Sequence, residues 1–399
     1  DLARETGGAS TNPGFNYELH VAATGGGPAR AYVPPIGPPP ELAGGIDPRQ
    51  AGADQIGLFR PDDFGAFTPH QLNALPPEAM GGFNADRLSG LPPEAMGGFD
   101  PDQIAGLPPE AMGGFDPNSL GLLPPEAMGG FDPRQFAELP PTAMRGFEAD
   151  QFAELPPGVV GKMDSRQFGN LPPAAFGGFQ PDQIGALPPE FMGQFSPKDF
   201  GNLPPEAMGG FDPRQFAELP PNVMGEFAPD QLAELPPNVM GKMDPRQFGN
   251  LPPAAFGGFQ LKQMKKLSQD LLTEMAPSAF SEINPDAFGG FKPKKFNGLP
   301  DELIGQIDDD QFGKLKPNLI KKMDEALIAS LAPKAFEGMT EKQGKKMKTV
   351  LAEALQPDQI SSIKAATLLA MPDNIFNILS PNLYESVYSD FVSEEVLGR

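Results

Sequence analysis

Carboxylates recur in this chain at a fixed spacing, and they are the first place to look for chemistry. Glu78, Glu94, Glu110 and Glu126 stand sixteen residues apart, each in the same Leu-Pro-Pro-Glu setting. Acids at one position of a stacked repeat are expected to form a ladder, and a carboxylate ladder suits weak binding of divalent cations. A calcium site takes about six to eight converging oxygens, so one acid per coil falls short. An acid in the first turn of a helix also has a reason of its own, because it complements the helix dipole. Asp308, Asp309 and Asp310 form a denser cluster that reads the same way, as a solvated helix start. The only histidines are His20 and His70, and neither has the clustered partners that a metal or proton-transfer centre needs. There is no cysteine, which removes disulfides, thiolate metal sites and cysteine nucleophiles. Serine and threonine are sparse in the repeats, and the Gly-Gly steps lack the glycine and lysine spacing of a phosphate loop. The sequence therefore nominates no catalytic, cofactor-binding or metal-binding residue and reads as a non-enzyme. Weakly held divalent cations are the one small ligand it suggests.

The acids are carried by an eight-residue step. The octad 99–106 begins with Phe99 and Asp100 and continues through Pro101, Asp102, Gln103 and Ile104 to Gly106. Asp100 is a good helix N-cap, and Pro101 suits the first helical position, where no backbone donor is needed. Gln103 completes a capping box, while Phe99 and Ile104 form a hydrophobic staple. Gly106 is expected to supply the left-handed residue that ends the helix. The alternate octad, as in 107–114, replaces the cap with proline, so Leu107 and Pro108 should be extended links between helices. Helices of about five residues are not stable alone and must stack. Two octads make a sixteen-residue sequence unit, with Leu107, Met112, Phe115 and Leu120 as the apolar anchors of one such unit. The expected fold is all-α: an elongated solenoid of short helices, two per sixteen-residue coil. Two or three prolines per unit, without Val/Ile/Thr alternation, argue against a β-solenoid.

First-position apolar residues keep this step from Phe59 to Val387, which predicts 21 coils and a rod on the order of 170–210 Å at the usual interhelical distance. The array divides by character. Residues 1–45 form an arm in which 15–22 and 29–33 resemble a pair of strands, followed by a proline-rich spacer at 34–40. Residues 46–258 are the regular repeats, 259–338 are degenerate and lysine-rich, and 339–399 read as C-terminal capping helices, with 345–355 and 361–370 long enough for longer helices.

The formal charge of −22 is uneven: 26 acids face 10 basic residues over 59–258, whereas 13 acids face 15 lysines over 259–348. So acidic a chain disfavours nucleic acid, which needs a basic face. No run approaches the ~20 apolar residues of a membrane span. The lysines are suited to an acidic partner, for which the front of another copy qualifies.

The units Leu-Pro-Pro-Glu-Ala-Met-Gly-Gly-Phe and Phe-Asp-Pro-Asp-Gln-Ile resemble short proline-initiated helical repeats of large secreted or surface proteins of aquatic bacteria. The likeness is strong over 59–258 and weaker over 259–338. It implies an extracellular or cell-surface rod and no chemistry. The expected function is a structural rod that joins head to tail with its own kind, since contacts that do not close give filaments. The arm is expected to tie one rod to the next. A monomeric binding scaffold and a cation-dependent adhesin stalk are the alternatives.

Overall fold

The structure, a computed structural model, describes residues 41, 42 and 44–381. Among these it is an all-α solenoid of short helices with no strand. The strand-like stretches at 15–22 and 29–33 lie outside the described residues.

Each octad folds as its local signals dictate. In Pro101–Gly106 the Asp100 carboxylate accepts from the Gln103 N–H at 2.8 Å, and the Gln103 side-chain oxygen accepts from the Asp100 N–H at 3.1 Å. The Pro-Pro octads lack a capping side chain, and most form 3-10 helices, such as Pro77–Gly82 and Pro109–Gly114. Helices stop where the next residue turns extended, as Leu107 does before Pro108 (φ −70°, ψ 136°). No left-handed glycine stops them. Gly106 is helical, and Gly44 and Gly45 are the only described glycines at positive φ.

The winding differs from the sequence unit. Ala53–Ile56 packs on Pro77–Gly82, which packs on Pro101–Gly106, then Pro125–Gly130, then Ala149–Glu154. Each step is 24 residues, and the same interval separates the other packed pairs along the chain. A coil therefore holds three octads, not two, and the solenoid has three sides. The sixteen-residue unit is an alternation of two octad types. Three is odd, so going round once swaps the type, and each Phe- or Met-led octad from 99–106 to 227–234 rests on Pro-Pro octads above and below. The described stack is then about fourteen coils, or on the order of 110–140 Å, in place of the 21 coils expected.

One face begins with octads 51–58, 75–82 and 99–106, a second with 59–66, 83–90 and 107–114, and a third with 67–74, 91–98 and 115–122. First- and sixth-position side chains from all three fill a continuous core of Leu, Met, Ile and Phe. Phe136 is fully buried, with its ring 5.9 Å from Phe131 and 6.0 Å from Phe147. The eighth-position glycines serve close packing. A Cβ on Gly106 would lie 2.5 Å from the Pro77 carbonyl oxygen in the previous coil, and one on Gly98 would overlap that of Pro69. Seventh-position glycines are freer, and Arg145 occupies one such place.

Stacking at 24 residues continues past 258 and 338: Pro253–Gly258 packs on Pro277–Ser281, and Pro333–Gly338 on Pro357–Ser361. The longer helices suggested at 345–355 and 361–370 are absent. Short ones, Thr349–Glu353, Pro357–Ser361 and Ala365–Leu369, take their place. The eight-residue step persists even where Lys348 and Lys364 give no side-chain cap. The last described helix covers 373–381, with Ile375 and Leu379 buried. At the front, Leu42 pairs with Ile46 across a turn at Gly44 and Gly45, and Leu42 joins the core.

Candidate functional site

Catalytic machinery has little to be built from here. His70 sits half-buried in Pro69–Asn73, and His20 lies outside the described residues. No group of three His, Asp or Glu among the described residues is placed to hold a metal ion. A depression of about 400 Å³ lies between stacked octads near the trailing end, lined by Met347, Thr349, Val350, Glu353, Pro372 and Ile375. It is open, and Lys348 and Glu353 both line it without forming an ion pair with each other.

The carboxylate ladder does not form as the sequence suggests. A spacing of sixteen on a coil of 24 deals Glu78, Glu94 and Glu110 to three different faces, and only Glu126 returns to the face of Glu78, two coils on. The axial row through Glu78 instead draws on both octad types: Asp54, Glu78, Asp102, Glu126 and Asp150. These acids hold successive fourth positions of the first face, in helical first turns.

The element that sequence reasoning missed is a ladder of buried glutamines. Gln103 closes its own capping box with its oxygen, while its amide nitrogen donates to the Leu72 and Leu75 carbonyls of the preceding coil at 2.8 and 2.7 Å. Gln135, Gln167, Gln183, Gln215 and Gln263 repeat the arrangement, each reaching carbonyls 31 and 28 residues back. Where the amide is missing, another donor stands in at three places, whereas Ser119 and Asp199 bond only within their own octads. Arg87 reaches the Phe59 carbonyl at 3.1 Å, Thr367 reaches Met339 at 2.8 Å, and the Lys295 ammonium donates to the Lys265 and Leu267 carbonyls. Burial, and then the neighbouring Lys292, lower the proton affinity of Lys295. A signal was available: a capping box needs only an acceptor at this position, yet glutamine, a donor as well, recurs there.

Charge is sorted by face. On the first face, the five octads from 51–58 to 147–154 carry eight acids and no basic residue. On the same face, the four octads 291–298, 315–322, 339–346 and 363–370 carry ten lysines and one acid, Glu341. Nine of those lysines are exposed; Lys295 is the exception. In the same coils the other two faces are acidic. The two lysines of the third face there pair with acids, Lys314 with Asp286 at 2.5 Å and Lys334 with Asp309 at 3.8 Å. No lysine of the first face has a carboxylate partner among the described residues.

No protein-family model matches the chain, and a search of curated proteins found no match. No helix among the described residues is long and apolar enough to cross a membrane.

Proposed function

We propose that the chain is a structural repeat protein, a stiff rod that joins end to end with its own kind at the cell surface or outside the cell. The observation that carries this reading is the 24-residue stacking, continuous on the second face from Pro61–Ala66 to Thr349–Glu353 and on the third from Pro69–Asn73 to Pro357–Ser361, with one core throughout. Each coil is tied to the last by backbone contact and by buried amides, so bending requires several coils to part together. The exposed surface offers charge rather than a reactive pocket, which fits spanning and joining better than catalysis. The likeness of the repeats to those of large surface proteins supports the location.

Two measurements test this. Small-angle scattering of dilute monomer should give a rod of maximum dimension on the order of 110–140 Å plus the terminal segments. Electron microscopy at rising protein concentration should show end-joined filaments. A chain that stays monomeric at every concentration and salt would refute the assembly reading. A cytosolic location by immunogold labelling of the source cells would refute the other half.

A further inference from the structure

The lysine end of the first face is the strongest charged feature left unpaired among the described residues. We infer that it lies against the acidic end of the same face of a second copy, so that rods overlap sideways where they join.

The charges match in sign and in number, eight acids and no base at the front against ten lysines and one acid at the rear. They also match in step. Both sets stand on the same face, so they recur with the same axial rise, one coil of three octads. Glu78, Asp102 and Glu126 stand one coil apart, and so do Lys292 and Lys316, Lys321 and Lys345, and Lys322 and Lys346, so such rows can meet without losing register. A flexible polyanion needs no such match. Leu58 and Leu369, 82 % and 78 % exposed, are the two most exposed large apolar side chains among the described residues, and they lie at opposite ends of this face. The described ends of the stack are unlike, a turn that buries Leu42 in front and a helix over 373–381 that outruns one octad behind. Simple continuation of the stack from one copy to the next would have to fit these two unlike ends, whereas a lateral overlap does not.

This inference rests on self-association, and the test separates the two. Three full-length variants are compared with the parent: Lys294→Glu/Lys321→Glu/Lys345→Glu at the rear, Glu78→Lys/Asp102→Lys/Glu126→Lys at the front, and Asp182→Lys/Glu206→Lys/Asp230→Lys on the second face as a control. All substituted residues avoid the core and the N-caps, and circular dichroism melting verifies folding. Sedimentation velocity is run from about 0.02 M to about 1 M salt, since charge contacts are screened over ~8 Å at physiological ionic strength and less above it. The expected result is assembly by the parent and the control, at least a tenfold weaker assembly for each first-face variant alone, restoration on mixing those two, and loss in high salt. A mixture that fails to assemble overturns the inference. So does assembly that ignores both reversals but vanishes on deletion of 1–40; this places the joint in the arm and leaves the filament intact. Binding of the lysine face to heparin or DNA without self-association overturns the inference and the filament together. A closed two-fold pair with the same variant pattern upholds the contact and overturns the filament alone.

Discussion

Gln135 offers the sharpest test of how one coil holds the next. Its side chain is 1 % exposed and makes three short hydrogen bonds, beside a longer one to the Ala105 carbonyl at 3.5 Å: its oxygen accepts from the Asp132 N–H at 2.8 Å, and its nitrogen donates to the Ile104 and Leu107 carbonyls at 2.7 Å each. Gln135→Met keeps the length and removes all three. The Ile104 carbonyl retains a bond from the Leu107 N–H, but the Asp132 N–H and the Leu107 carbonyl lose their partner. Two orphaned groups at about 1–3 kcal/mol each give a cost on the order of 2–6 kcal/mol. Gln135→Glu should cost more at neutral pH, because its carboxylate faces two carbonyls. That fold favours the protonated acid, so the deficit should shrink as the pH falls through its raised pKa. In a nearest-neighbour stack the loss falls on one junction. Urea unfolding followed by hydrogen exchange should show two transitions, parted near 104–135. The converse variant is Ser119→Gln. Ser119 occupies a ladder position, yet it bonds only Asp116 within its own octad. Supplying the amide there should raise stability by about 1 kcal/mol, the usual worth of a hydrogen bond. A Gln135→Met protein within about 1 kcal/mol of the parent, with a single unchanged transition, would falsify the idea that the amides couple the coils.

Adjacent glycines should respond oppositely: Gly98→Ala forces a Cβ into Pro69 and should cost about 1–3 kcal/mol. Gly97→Ala, with its nearest neighbour the Leu122 carbonyl at 3.9 Å, should be neutral or slightly stabilising in thermal melts. Deleting 91–106 removes one octad of each type and preserves α-on-Pro-Pro stacking downstream, whereas deleting 83–106, a whole coil, stacks like on like at the junction. The shorter deletion should melt nearer the parent, and the reverse order would contradict the three-octad coil. Phe136→Ala should cost about 3–5 kcal/mol, as core Phe truncations do, while the exposed Glu138→Ala should not register; equal losses in denaturant titration would place the core elsewhere.

The octad, its caps and its anchors were legible because they are local: Asp100, Pro101 and Gln103 carry their meaning within one turn. The winding number was not. Sequence period reports the alternation of octad types, and three octads per turn leave no mark on a pattern that repeats every two. The error in the glutamate ladder follows directly, since Glu94 was placed beside Glu78 when it lies round a corner. The lysines were visible as a region but not as a face, because Lys292 and Lys316 line up only at a spacing of 24. Gln103 was half understood: its oxygen acts within the octad, while its nitrogen acts across a distance that only the fold defines.

The mismatch between a two-octad gene repeat and a three-octad turn makes repeat number an angular variable. Inserting one sixteen-residue unit in the regular region keeps every downstream helix on a partner of the opposite kind. It also advances the trailing end by about two thirds of a turn relative to the front, given three octads per coil. The lysine octads would then belong to a different side from Glu78 and Asp102. Three units must be added before the two charged ends share a face again. Duplication and loss of repeats, commonplace in tandem arrays, would thus act as a dial on the direction in which one rod meets another.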